Sequence, residues 1–514
     1  MEIISMVTQM STKSSPHSSV FSLAIERRSL MAFRLGLGIV IAVDILMRLL
    51  DVREHYTDDG IWPRNAAMVD FGKYPWLWSL HYLNGSLLFN TGLLIVTALS
   101  GLWLASGRSN RWATLITWVL VSSVQHRTPG LNMGADTLLL VLLFWNFFLP
   151  SSTLTSDKQF SAPTTGWPQR ALLLQVCLMY WSTALFKSHP VWRSDYSAVE
   201  FALGIESFQA YLGPEALRFP SLLKVLTCST IVLEELGPIV ALLGSRFWIA
   251  RTAAAISFMA FHLLGLGLTM RLGIFPWVCA VAWLPFLPAQ FWDRVAHHFG
   301  RLARHPQVDT CSQQLPLRQW YRLPNPLVIS CLLYVSWWNL SVLYTKPLAK
   351  IFPEMLRTPG HWLGIAQNWQ FFAPRPATRD GWYVAKAKTS DGREFDPLHG
   401  GGPVTWNKPV QGVAKEFKNS RWHKYLHSTF LGRRQSQVDE YARYITREWN
   451  QSHTSKIESL ELYYMLQDHF HPEDGIRPIK VYPSSGLNSE GKALFQGDIR
   501  WEAEQADQKQ PVKK

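Results

Sequence analysis

Apolar residues along this chain come in long blocks rather than in alternating stripes. A helix needs about 20 mostly apolar residues to cross a bilayer. Nine stretches approach that length: 31–50, 84–106, 111–126, 132–150, 169–187, 221–244, 247–270, 272–290 and 325–345. The third and fourth are the most broken, by Gln125-His126-Arg127 and by Asn132. Past residue 345 the pattern changes. WYVAKAK alternates apolar and polar positions, Ser390-Asp391-Gly392-Arg393 is a turn signal, and EFDPL resumes, which predicts a β-hairpin near 382–396. Helical periodicity follows over 436–450 and 455–467, with Val438, Tyr441, Ile445 and Trp449 on one stripe. The last dozen residues are polar and are expected to fray. No fixed internal period marks a repeat architecture. The expected fold is an all-α polytopic membrane helix bundle of about nine spans with a small α+β extramembrane C-terminal domain. Its parts are an N-terminal segment 1–30, a bundle 31–345 and an outer domain 346–514 with the hairpin and with helices near 436–467.

Composition sharpens that division. Residues 1–344 carry 43 charged side chains and residues 345–514 carry 44 in half the length, so the near-neutral mean hydropathy of +0.01 averages two unlike parts. Charged residues are 17% of the chain, below the roughly 25% usual in soluble proteins. The 24 tryptophans suit a membrane interface. Disorder, a collagen-like chain and one soluble core are excluded. Net charge is +13, yet the basic residues flank apolar spans, and no clustered basic face accompanies a nucleic-acid motif. Nucleic acid is therefore not an expected partner.

Positive residues orient the spans. The stretch 289–324 holds Arg294, Arg301, Arg304, Arg318 and Arg322 against Asp293 and Asp309, which assigns it to the cytoplasm. Alternation then puts the N-terminus inside, as a retained first span without a cleavage site. The acidic loop 51–83 and everything past 345 fall on the outer side, whether periplasmic, extracellular or lumenal. Five scattered cysteines, Cys177, Cys228, Cys279, Cys311 and Cys331, show no metal-ligand spacing and no disulfide framework. No metal is expected.

This topology gathers three polar loops on the outer side. The first is Tyr56-Thr57-Asp58-Asp59-Gly60-Ile61-Trp62-Pro63-Arg64. The second is Gln125-His126-Arg127-Thr128-Pro129-Gly130, with Asn132 and Asp136 entering the fourth span. The third is Lys187-Ser188-His189-Pro190-Val191-Trp192-Arg193. Convergent polar groups beside an apolar bundle make a candidate site; snorkelling cations, interfacial Trp and an Asp-Asp-Gly turn are the structural alternative. Lys187 closes sixteen uncharged residues, 171–186, and a desolvated lysine sheds its proton readily enough to act as a base. Asp44 and Arg48, four apart, can pair along one face. Glu234 and Glu235 point about 100° apart on a helix, so one of them can face the bundle. His262 fits a helix-contact role.

These loops also carry a resemblance. YTDDGIWPR, NMGADTLLLVLLFWNFFLP, YWSTALFKSHPVWRSDYSAVEFAL, NWQFFAPRP and DGWYVAKAKTSDGREFD, among other stretches over roughly 31–450, are similar to the HTTM membrane proteins. That family is related to vitamin K-dependent gamma-carboxylase, and YTDDGxxPR and K-x-x-P-x-W-R are its specific signatures here. The resemblance implies a membrane lysine, matched by Lys187, that deprotonates a reduced quinone. Oxygen addition then yields an epoxide and a strong base that removes a glutamate γ-proton for carboxylation. Where the carboxylase carries a histidine, this chain reads Asn132-Met133-Gly134-Ala135-Asp136. The expected function is quinol- or lipid-dependent oxidation or carboxylation, with Lys187 as base. Asp58, Asp59, Arg64, His126, Arg127, Asn132, Asp136, Trp192 and Arg193 are its substrate-binding or orienting groups. Membrane lipid, a quinone and an exported protein or peptide are the expected partners. The alternative is a non-catalytic membrane maturation or interaction factor for an exported protein, in which Lys187 is solvated.

Overall fold

The computed structural model describes residues 23–150, 166–298, 325–343 and 354–483, except 73, 109, 433 and 470. The N-terminal segment through 22, most of the basic stretch 289–324 and the predicted frayed end lie outside the described residues. Each of the nine apolar stretches forms a helix: α1 Arg27–Leu49, α2 Leu87–Ala105, α3 Asn110–Arg127, α4 Gly134–Phe148, α5 Trp167–Phe186, α6 Pro220–Ala241, α7 Trp248–Ala260, α8 Phe275–Trp283 and α9 Asn325–Leu343. Four helical runs among the described residues are long and apolar enough to cross a membrane: α1, α2, Trp248–Thr269 and α9. The others are shorter or more polar, and α4 and α8 are apolar but brief.

The helix ends follow from local chemistry. Glu26 accepts from the Ser29 amide at the start of α1, and Ser86 does the same for Phe89 at α2, satisfying amides that have no intrahelical acceptor. Phe33, Leu37, Leu94, Leu138, Trp145, Leu172, Val278 and Trp283 then meet in one buried apolar core. Small residues let α1 and α2 touch. A Cβ at Gly38 would stand 2.3 Å from the Gly101 carbonyl oxygen, so only glycine permits that approach.

The bundle extends past the expected boundary at 345. Ile365 and Trp369 are part of its core, and a buried polar node holds their segment there. Gln175 and Gln367 exchange hydrogen bonds of 2.9 and 3.0 Å, while Trp369 Nε1 donates to Gln367 Oε1 at 2.7 Å and Trp338 Nε1 to its carbonyl at 2.8 Å. Residues 363–372 therefore belong with the helices, and the sheet domain begins near Arg379.

That unit is an antiparallel sheet of order β2-β1-β3-β4, built from β1 Arg379–Thr389, β2 Glu394–Phe395, β3 Ile457–Asp468 and β4 Ile476–Tyr482. The predicted hairpin is present, with Ala387 opposite Phe395 and Lys388 opposite Glu394. Helices α10 Ser420–Leu431 and α11 Gln435–Ser452 accompany the sheet, and Val438, Tyr441 and Ile445 of α11 join Tyr383 and Tyr464 in a second core. The helix expected over 455–467 is instead β3, the central strand. Leu460, Leu462, Tyr464 and Leu466 are buried at every second position, the period of a strand, and pairing on both sides overrides the weaker helical reading.

Candidate functional site: a buried lysine–glutamate pair beside an apolar cavity

The local sequence after α5 explains where Lys187 points. Lys187 caps α5 with ψ of 63°, out of helical geometry. His189 and Pro190 then start a helical turn, Pro190–Arg193, whose first amide hydrogen bond goes from Val191 to His189 Nδ1. This turn brings two side chains back onto the helix end. Arg193 donates to the carbonyls of Lys187 and Ala184 at 2.8 and 2.7 Å, two of the acceptors a helix C-terminus leaves open. Trp192 lays its ring 4.6 Å from Lys187 Nζ, within cation–π range. The K-x-x-P-x-W-R pattern is thus a device that fixes the lysine head.

Its partner comes from α6. Lys187 Nζ lies 2.5 and 2.6 Å from the two carboxylate oxygens of Glu234, with the residues 2% and 4% exposed. Adjacent Glu235 faces outward, where Arg193 meets it at 2.5 Å on a partly exposed pair. The chain neighbours diverge as the helical rotation requires.

Lys187 and Glu234 border a cavity of about 430 Å3 lined mostly by apolar side chains, among them Met179, Leu203, Leu233, Phe275 and Phe371. Leu226 and Ser229 of α6, with Ser257 of α7 and Gly265 just beyond it, line it as well and are themselves exposed. The cavity therefore reaches the lateral surface of the bundle between these helices. That surface carries exposed Val225, Val232, Leu236, Ile256 and Leu264. Beyond Ala260 the helix loosens into a π-helical turn, Phe261–Leu266, a distortion common at functional sites. It places His262 at the cavity wall, with Nε2 2.7 Å from the Tyr180 hydroxyl, which also accepts from Trp283 Nε1 at 3.0 Å.

The segment NWQFFAP lies against the cavity as well. Phe371 and Phe372 both line the cavity, and Trp192 Nε1 donates to the Phe372 carbonyl at 3.0 Å. Phe372 has φ of +53°, a left-handed conformation that a bulky residue rarely adopts without a local constraint. Gly134 makes room for the neighbouring ring, since a Cβ there would lie 2.3 Å from Phe371 Cε1.

The remaining predicted residues are placed elsewhere. Of the ten, Lys187 and Trp192 line the cavity. Arg64 grips Asp58 through three contacts of 2.7 to 3.0 Å and also donates its backbone amide. Those hydrogen bonds hold the Asp58 carboxyl below its ordinary range. Asp59 is exposed, and its carbonyl accepts from Arg447. His126 Nδ1 meets the Trp78 carbonyl at 3.1 Å, and Asn132 donates to the Gln125 carbonyl at 2.9 Å. Arg127 is fully buried, donating to the Trp62 carbonyl at 2.8 Å with its guanidinium over Tyr82.

Asp136 belongs to a different constellation. Arg48 reaches both Asp44 at 2.8 Å and Asp136 at 2.5 Å, and Arg421 from α10 completes the square with Asp44 at 2.5 Å and Asp136 at 3.1 Å. Two arginines and two aspartates thus neutralise one another where the sheet domain meets the bundle. The sequence signalled the Asp44–Arg48 half by its spacing, but nothing local pointed to Arg421.

Comparison with family models, curated proteins and solved structures finds no match. The site must be read from its own chemistry. Among the described residues, no group of three His, Cys, Asp or Glu side chains is arranged to hold a metal ion. What the cavity offers is an apolar chamber with a lateral opening, and at its wall one internally paired cation and anion.

Proposed function

We propose that the chain is a multi-pass membrane enzyme of the HTTM type, related in chemistry to vitamin K-dependent gamma-carboxylase, that acts on a lipid-soluble hydroxylic substrate such as a reduced quinone. In this reading all nine helices, α1 to α9, cross the bilayer, with the N-terminus cytoplasmic and the sheet domain outside. The shorter ones are accommodated by local thinning of the bilayer. The observation that carries the reading is Lys187, buried at the wall of an apolar cavity that opens sideways between α6 and α7. A charged group at membrane depth is costly and usually functional. A lateral opening lined by Leu226 and flanked by exposed apolar residues admits a molecule dissolved in lipid rather than one arriving from water. Lys187 lies where its ammonium or amine meets a substrate hydroxyl, Trp192 fixes its direction, and Phe371 and Phe372 screen it from the outer side. The alternative, a non-catalytic maturation factor, expects a solvated Lys187, and a lysine 2% exposed weighs against it.

The test is quinol epoxidation by the purified protein in nanodiscs, with reduced naphthoquinone and oxygen supplied and epoxide followed by mass spectrometry. Wild type is expected to turn over, and Lys187→Ala to lose about 100-fold or more, the scale of a removed acid–base group. Absence of turnover in folded wild type, with any naphthoquinol, would overturn the reading.

A further inference from the structure

We infer that the proton acceptor in this site is Glu234, with Lys187 serving as the cation that holds the oxygen left behind. The inference rests on the reading just given and changes the part each residue plays in it. Both oxygens of Glu234 lie on one ammonium, at 2.5 and 2.6 Å from Nζ. With the pair charged, Lys187 is an ammonium, and the Trp192 ring lies 4.6 Å from its Nζ. It has no lone pair to offer. The neighbouring cation, Arg193, is spent on two carbonyls and on Glu235. The Glu234 carboxylate, by contrast, has roughly four lone-pair positions and gives two to Lys187, leaving capacity for an incoming O–H.

Counting charges in the cavity favours this assignment. Before the step there is one ion pair, Lys187 with Glu234, and a neutral hydroxyl. In the step the substrate O–H bond breaks, its proton goes to a Glu234 oxygen, and the electron pair stays on the substrate oxygen. Afterwards there is one neutral carboxylic acid and one ion pair, Lys187 with the substrate oxyanion. Nothing is oxidised or reduced, and the number of buried ion pairs is unchanged. A lone neutral lysine acting as base would instead create an ion pair where none existed, at the desolvation cost that apolar surroundings impose. The same count defines the substrate class. The molecule must be neutral, lipid-soluble and bear an O–H of phenolic acidity, because an anion would leave an unmatched charge beside the carboxylate.

The experiment uses full-length protein in nanodiscs with reduced naphthoquinone as substrate and oxidised naphthoquinone as binding probe, read by quenching of tryptophan fluorescence. Glu234→Gln keeps the shape and a hydrogen bond to Lys187 but cannot take the proton. Its turnover is expected to fall about 100-fold or more, with probe affinity within about threefold of wild type. Glu234→Asp keeps a carboxylate one methylene short and is expected to turn over at least about tenfold faster than Glu234→Gln, a rescue that loss of packing alone would not give. Should Glu234→Gln fail to fold, Glu234→Asp against Glu234→Ala makes the same comparison. A Glu234→Gln protein with wild-type turnover would show that Lys187 suffices, overturning the inference while leaving the function standing. A wild type that neither binds the probe nor turns over overturns both.

Discussion

His399 in the sheet domain shows how two partners can outweigh an environment. Burial alone lowers the basicity of an imidazole, but Nδ1 lies 2.9 Å from Asp396 and Nε2 2.9 Å from Glu416, and these hydrogen bonds raise its pKa above the ordinary value. Asp396 in turn caps the turn Pro397–His399 through the Leu398 amide, so the clasp ties β2 to the segment leading into α10. A histidine whose folded value is raised contributes stability that is full below its unfolded value of about 6.5. That contribution disappears as pH climbs through the folded value. The side chain is half exposed, so the effect is modest, about 1 kcal/mol or less. The difference in melting temperature between wild type and His399→Gln should therefore be largest near pH 6 and shrink by pH 8.5. A difference that stays constant over that range would mean the clasp is never charged.

At the scale of elements, what was legible followed how far each element depends on its own sequence. Helices with long apolar runs are dictated locally: seven of the nine stretches are helices within four residues of their expected ends, while α7 and α8 stop ten and seven residues short of theirs. β3 was misread because its apolar residues also fit a helical period. Its state is decided by β1 and β4 on either side, the latter about ten residues downstream and unanticipated. Residues 363–372 were misassigned for a related reason. Gln367 reads as a polar loop residue, and only the fold reveals that it accepts from Trp369, Gln175 and Asn339 inside the bundle. Replacing it by Leu would strand at least two of those donors, each costing about 1–3 kcal/mol when left unpaired in an apolar interior. Gln367→Leu is expected to lose about 3 kcal/mol of stability, measured by thermal unfolding in detergent, and to loosen the Phe371–Phe372 end of the cavity. A variant as stable as wild type would show that the node is dispensable and that apolar packing of Ile365 and Trp369 alone holds the segment.

The whole molecule is joined by charges that topology could bring to one side but not pair. Expectation placed Asp58, Arg64, Arg127, Asp136 and Lys187 at one outer mouth. The structure separates them: Asp58 and Arg64 pair in a half-buried loop, Arg127 is buried against the Trp62 carbonyl, Asp136 lies at an interface and Lys187 at a cavity. The interface is the consequential one. Arg421 sits in the sheet domain, 285 residues from Asp136 and 377 from Asp44 along the chain, and with Arg48 it makes a neutral square that is almost wholly buried. Removing one member leaves an unmatched buried charge, which typically costs about 3–5 kcal/mol. Arg421→Gln should therefore weaken the seat of α10 on the bundle, seen as faster proteolysis in the sheet domain while the helices stay protected. Arg443→Gln breaks an exposed pair with Glu440 and should change nothing measurable. The decisive comparison is Arg421→Gln with Asp44→Asn, which removes one charge of each sign and restores neutrality. If the square works as a charge-balanced joint, the double variant resists protease better than Arg421→Gln alone, a coupling of contacting residues that independent sites would not show. Additive losses in the two variants would instead mean that shape, not charge balance, seats the sheet domain.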